Sequence, residues 1–171
     1  MKIAILGYSG SGKSTLAGQL ARYYGVPVLY LDTVQFLPGW KERSPEEGRA
    51  AVAAFLRDSD AWVIDGNYGK FMKEERLRQA DRILILLFPR ALCLYRVLKR
   101  YFRCRGKTRA SMAEGCPEKI DAEFVRWVLY EGRTRKRRAW YREIASLYPE
   151  KTQILKRPSQ VRDFLARTLE R

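Results

Sequence analysis

Gly7-Tyr8-Ser9-Gly10-Ser11-Gly12-Lys13-Ser14 is the stretch on which the fold turns. It fills every fixed position of G-x-x-x-x-G-K-[ST], a loop that wraps phosphate groups. Before it, Lys2-Ile3-Ala4-Ile5-Leu6 is a short apolar run ending at Gly7, the pattern of a buried strand. After it, residues 13–24 carry Leu16, Leu20 and Tyr23/Tyr24 at helical spacing. Gly25 can close that helix in the left-handed conformation, and Pro27 blocks its continuation. Strand, glycine loop and helix in this order let successive backbone N–H groups point at an anion, aided by the positive end of the helix. The expected nucleotide-binding set is Gly7, Ser9, Gly10, Ser11, Gly12, Lys13, Ser14 and Thr15. In such loops Lys13 reaches the β- and γ-phosphates and the Ser14 hydroxyl ligates magnesium.

The same alternation continues along the chain. Val28 to Leu31 reads as a second strand closed by Asp32, and residues 38–45, with Pro38-Gly39-Trp40 and Ser44-Pro45, as a loop. Ser44 with Glu47 three residues on predicts a capped helix to about Arg57, Pro45 standing at its first position. Ala61 to Asp65 is a third strand, residues 70–79 a short helix, and Ile83 to Phe88 a continuous apolar strand buried on both faces. A basic helix follows Pro89, residues 106–118 are irregular, and a further helix is expected over 118–147. Thr152 to Leu155 is a fifth strand, with a closing helix from Pro158. Five strands alternating with helices predict an α/β fold of three layers around a parallel sheet, in a single domain over 1–171.

Composition narrows the class. No run of about 18 apolar residues is present to span a bilayer. The apolar stretch before Gly7 is short for a signal peptide. Three cysteines at wide spacing argue against a disulfide framework and for the reducing cytoplasm. Absence of histidine excludes imidazole catalysis and His-ligated metal. Cys104 and Cys116 are too few and too isolated for a structural zinc. The net charge of +15 is uneven: residues 1–88 carry +2 and residues 89–171 carry +13. That asymmetry calls for an anionic partner, be it nucleotide phosphates, nucleic acid or a membrane surface, or else a highly charged solvated face.

Two acids and a row of arginines complete the candidate site. Asp65 ends the third strand beside the phosphate loop, where a carboxylate can hold magnesium through water; an Asx turn opening Gly66-Asn67 uses the same residue. Asp32, at the end of the second strand, can take a proton from a hydroxyl acceptor, orient magnesium, or form a turn. Arg96, Arg100 and Arg103 share one face of the basic helix, and such a line of cations repels itself unless an anion sits between them. Arg105, Lys107 and Arg109 extend it. Arginines on a mobile segment can neutralise a transferring phosphoryl group. The run Arg133 to Arg138 mixes phosphate contacts with exposed charge.

The phosphate loop, Trp62-Val63-Ile64-Asp65-Gly66-Asn67-Tyr68, Asp32 with Phe36-Leu37-Pro38-Gly39-Trp40, and the segment from Arg109 to Asp121 with its Glu114-Gly115-Cys116-Pro117-Glu118 together resemble the DNA topology modulation protein family. That family is one of P-loop kinase-like NTPases related to adenylate and shikimate kinases. The resemblance implies a five-stranded sheet in the order 2-3-1-4-5, a small lid over 104–118, ATP and Mg2+ as ligands, and kinase activity. Ala110-Ser111 stand where family members often carry Pro-Asp. Arg96 and Arg100 resemble the adenylate kinase pair that contacts ATP. The Asp-Gly-Phe-Pro-Arg acceptor motif of adenylate kinase and the triple glycine of shikimate kinase are missing.

The resulting expectation is a cytoplasmic phosphotransferase moving the γ-phosphoryl group of Mg-ATP to a small-molecule or nucleotide acceptor. Lys13, Asp32, Arg100 and Arg109 are its catalytic residues, Arg96 and Arg100 further ATP contacts, and Ser14 and Asp65 the magnesium ligands. The alternative is a nucleic-acid-binding regulator that uses ATP as a switch, supported by the +13 half but lacking a recognised DNA-reading motif.

Overall fold

The computed structural model describes residues 1–104, 106 and 108–169, so the expectations at Arg105 and Lys107 lie outside the described residues. The chain runs β1 (Lys2–Gly7), α1 (Lys13–Tyr24), β2 (Val28–Tyr30), α2 (Leu31–Gln35), β3 (Phe36–Leu37), β4 (Lys41–Glu42), α3 (Pro45–Asp58), β5 (Trp62–Asp65), α4 (Lys73–Gln79) and β6 (Arg82–Leu86). It continues through α5 (Arg90–Cys104), α6 (Ala122–Leu129), α7 (Arg135–Leu147), β7 (Thr152–Leu155) and α8 (Pro158–Leu169). The main sheet is parallel in the order β2-β5-β1-β6-β7. Numbered among themselves in chain order, its five strands stand 2-3-1-4-5. Central β1, with Ile3, Ala4, Ile5 and Leu6 all buried, forms the core with β5 and β6. Apolar side chains on both faces of these strands are covered by helices, which is why the runs read as continuous rather than alternating.

Register brings the site together. Ile5 pairs with Asp65, and Tyr30 on β2 pairs with Asp65 from the other side. The carboxyl ends of β1, β2 and β5 therefore open on one edge, where ligands of open α/β sheets sit. Ser44 caps α3 by accepting from Glu47 N at 3.2 Å, with Pro45 at the first position, as its spacing predicts.

Four local expectations are corrected. The second strand ends at Tyr30, not Leu31; Leu31–Gln35 make one helical turn, tied by Thr33 Oγ1 donating to Tyr30 O at 2.7 Å. Asp32 thus stands in the first turn of α2 rather than at a strand end. Residues 38–45 are not an open loop: β3 and β4 pair antiparallel across Pro38-Gly39-Trp40. The short helix begins at Lys73 rather than residue 70, because Met72 at φ 50° lies outside helical geometry. The helix over 118–147 is broken. Asp121 caps a start at Ala122 by accepting from Phe124 N (2.8 Å), and α6 stops at Leu129. Arg133 then turns inward, its Nε donating to Val128 O and its Nη1 to Phe88 O, both at 2.8 Å. Thr134 caps the restart as α7, accepting from Arg137 N at 3.3 Å. Helical periodicity on both sides of the break conceals it, since the inward pull on Arg133 comes from the distant Phe88 carbonyl.

Candidate functional site around the phosphate loop

The glycines of the loop serve close packing as well as curvature. Gly10 lies at φ 77°, and a Cβ there would stand 2.5 Å from the Cys93 carbonyl oxygen on α5. Gly12, at φ 95°, leaves room for Arg96, whose Nη1 donates to Ser11 O at 2.9 Å. Arg96 also lies over the Phe88 ring, 5.1 Å from its centroid. One arginine from α5 thereby holds the loop in shape. On the opposite side Asn67 grips Gly7 twice: Gly7 N donates to its Oδ1 (2.9 Å), and its Nδ2 donates to Gly7 O (2.7 Å).

Inside the loop, Lys13 Nζ donates to Tyr8 O at 3.2 Å, curled back over the cradle. Ser14 Oγ donates to Asp65 Oδ2 at 2.6 Å, joining the loop to the end of β5. Burial is the main force pushing the Asp65 carboxyl above its ordinary value, with Asp32 adding to it and Lys13 and the Ser14 bond opposing. Asp65 Oδ1 and Ser11 Oγ are buried without a hydrogen-bond partner among the described residues. An orphaned carboxylate oxygen beside a serine hydroxyl and a cradle of N–H groups has the donor set that magnesium and phosphate require. The residues present therefore fit Mg-nucleotide, with Ser14 and Asp65 as the metal's side and the loop amides as the phosphates' side.

Asp32 accepts from the Tyr68 hydroxyl at 2.7 Å, and burial, reinforced by Asp32, pushes that phenol well above its ordinary range. Arg76 is buried and donates to Phe71 O and Tyr68 O, both at 2.7 Å, so the segment carrying Tyr68 is pinned from below. Burial lowers the Arg76 guanidinium to about 10.

Of the α5 arginines, Arg100 has an anion, and it is a side chain. Glu118, its side chain 5% exposed, accepts from Arg100 Nε at 2.7 Å through Oε1 and forms an ion pair with Arg109, whose Nε stands 2.5 Å from Oε2. Burial and the neighbouring Arg109 lower the Arg100 guanidinium, and Glu118 opposes them. Arg103 is exposed. Met112, Ala113 and Cys116 pack on Phe36 and Trp40 of the β3–β4 hairpin. Cys116 Sγ donates to Leu37 O (3.2 Å) and accepts from Trp40 N (3.3 Å), a structural task for a cysteine that spacing alone left without one.

Lys13, Ser14, Thr15, Asp32, Asp65, Arg96, Arg100 and Arg109 all line one open cleft of about 1940 Å³. Sequence reading assigned no task to Asn67, Tyr68, Trp127 or Glu118. The motifs containing Asn67, Tyr68 and Glu118 carried the family resemblance, but nothing in local spacing tells which partner each one meets.

No family model and no curated protein matches the chain. Among solved structures it is similar to an uncharacterized protein from Eubacterium ventriosum ATCC 27560, at 16% identity and TM-score 0.52, covering 99% of this chain and 98% of that one. It is also similar to shikimate kinase from Bacteroides thetaiotaomicron, at 18% identity and TM-score 0.51, covering 99% of this chain and 96% of that one. At these identities the likeness is one of fold alone: a five-stranded parallel sheet with helices around it, the fold of that shikimate kinase.

Proposed function

We propose that the protein is an ATP-dependent phosphotransferase acting on a hydroxyl-bearing acceptor. The observation that carries this reading is the Ser14–Asp65 bond at 2.6 Å, with Asp65 Oδ1 unpartnered, at the mouth of a complete phosphate loop. The sequence resemblance to the DNA topology modulation family belongs to the same proposal. Magnesium, when bound, draws charge from the β- and γ-phosphates. The loop amides and Lys13 orient the phosphates, and Arg96 keeps the loop in shape. The bond from the γ-phosphorus to the β–γ bridging oxygen breaks, its electron pair leaving with ADP. A bond from the acceptor oxygen to that phosphorus forms, and the acceptor's proton passes to Asp32. The Tyr68 hydroxyl occupies Asp32 Oδ1 and leaves Oδ2 for the acceptor.

Asp32→Asn tests the role of the base. The amide oxygen of the variant still accepts from Tyr68, so the fold is retained. With a hydroxyl acceptor, kcat falls roughly 10²–10⁴-fold while ATP affinity holds. A wild-type kcat in the variant removes Asp32 from the catalytic set. A screen of acceptors against labelled ATP supplies the substrate for this measurement.

Residues 104–118 act as a lid in this proposal. Support comes from Glu118, which ties the segment to α5, and from the small apolar contact with the hairpin. Closure of such a segment excludes water from the transfer. Amide exchange over 108–118 is expected to slow on adding Mg-ATP; equal exchange with and without nucleotide identifies a rigid surface loop instead.

A further inference from the structure

Five cations stand in the six positions from Arg133 to Arg138, and the fold gives them different tasks. Arg133 is spent on backbone carbonyls and lies over the Tyr8 ring, 3.9 Å from its centroid. Arg135, Lys136 and Arg138 are exposed. Arg137 is half-buried and is the one member of the run that lines the main cleft, at its seam with a smaller cavity bordered by Asn67, Lys73 and Trp140.

Its position is built by two contacts. The Arg137 guanidinium lies 4.3 Å above the Trp127 ring centroid, and Trp127 Nε1 donates to Ser9 Oγ of the phosphate loop at 3.2 Å. A platform on α6 is thereby tied to the loop that holds the phosphates, and it carries a cation.

The other cations nearest the loop are already engaged. Lys13 donates to Tyr8 O, Arg96 to Ser11 O, and Arg100 and Arg109 share Glu118. Among the described residues no carboxylate pairs with Arg137. A guanidinium held by a ring face keeps its N–H donors unspent, whereas one held by a carboxylate has committed them. An arriving anion meets no competing acid at Arg137.

We infer that Arg137, carried on Trp127, is the catalytic arginine that meets the transferring phosphoryl group. The inference rests on the phosphotransferase reading and completes it. Arg137 gives up no proton; it donates hydrogen bonds to the equatorial oxygens as the bond to ADP breaks and the bond to the acceptor forms. Trp127 is a positioning residue that aims the guanidinium. Arg100 and Arg109, which share Glu118, line the same cleft.

Arg137→Gln, Arg137→Lys and Trp127→Phe test this on the full chain. Water serves as acceptor, so ATP hydrolysis is the readout for kcat, and the probe for the transition state is Mg-ADP with aluminium fluoride. Arg137→Gln is expected to lower kcat about 10²-fold or more, with the KM for ATP within a few-fold and the melting curve unchanged. Arg137→Lys restores part of the rate by restoring charge. The part of the emission that Trp127→Phe removes reports the ring itself. It changes when aluminium fluoride joins Mg-ADP in the wild type and not in Arg137→Gln. Wild-type kcat in Arg137→Gln, or a loss that tracks a lowered melting temperature in all three variants, overturns the assignment. Failure of the wild type to bind Mg-ATP at all overturns the phosphotransferase reading itself, and this inference with it.

Discussion

Lys13→Ala is expected to remove ATP turnover at an unchanged fold, with kcat/KM down by at least about 10²–10³-fold, the scale of losing one charge-stabilising donor. The fold is spared because, among the described residues, the Lys13 side chain makes one hydrogen bond, to the Tyr8 carbonyl, which accepts Ser11 N as well. The core beneath it is carried by Leu16, Ala17 and Leu20. What the variant lacks is the ammonium group that the loop itself carries, held only by Tyr8 O and able to exchange that bond for a phosphate oxygen. Nucleotide titration by calorimetry, beside a circular dichroism spectrum, measures both halves of the expectation. Wild-type affinity and turnover with a native spectrum sink it.

Asp65→Asn is expected to separate stability from activity. Burial dominates at Asp65 and raises its folded pKa above the unfolded value. The sign follows: the stabilising contribution is whole below the unfolded pKa, near 3.9, and is lost as pH rises through the raised folded value. At neutral pH the buried carboxylate costs the nucleotide-free protein stability. Asparagine removes that charge and still accepts from Ser14. The gain is read as a rise in melting temperature. Magnesium-dependent turnover falls in the same variant by about 10²-fold or more, because the orphaned oxygen that a cation would take has become an amide. Melting temperature against pH, with and without Mg-ATP, decides the matter. A variant less stable than wild type at pH 7, or one with full magnesium-dependent activity, contradicts it.

The two residues differ in how far their surroundings could be read from the chain. The Lys13 motif occupies eight consecutive positions, and its geometry is dictated by glycines and a helix start within those positions. Asp65 was legible as an acid at a strand's end. Its pairing with Ser14 was not, because that bond crosses 51 residues and depends on the register of β1 against β5. Asp32 shows the same limit at closer range. Its place near the cleft was expected, yet its turn belongs to α2, and its partner Tyr68 lies 36 residues away.

The arginines make the contrast sharpest. Repulsion along Arg96, Arg100 and Arg103 signals that an anion must be near, and this much follows from spacing on one helix. That the anion is Glu118 depends on the path of the chain after α5, which returns that acid to face Arg100 and Arg109. Likewise the break between α6 and α7 is invisible to periodicity, since the residues on both sides keep helical spacing while Arg133 answers to Phe88 across 45 residues.

By itself the sequence determined the strand–loop–helix start, the alternation that yields a five-stranded parallel sheet, the cap at Ser44 and the glycine loop whose spacing matches a phosphate-binding motif. Each is encoded by neighbours within one or two turns of chain, where sterics and periodicity act directly. Tertiary structure alone decided that Asn67 grips Gly7, that Glu118 pairs with two arginines, and that Trp127 lies under Arg137 and bonds Ser9, 118 residues away. Those contacts join side chains far apart in the chain, and which of them meet is set by the order of strands and the crossings between them, which no local preference specifies.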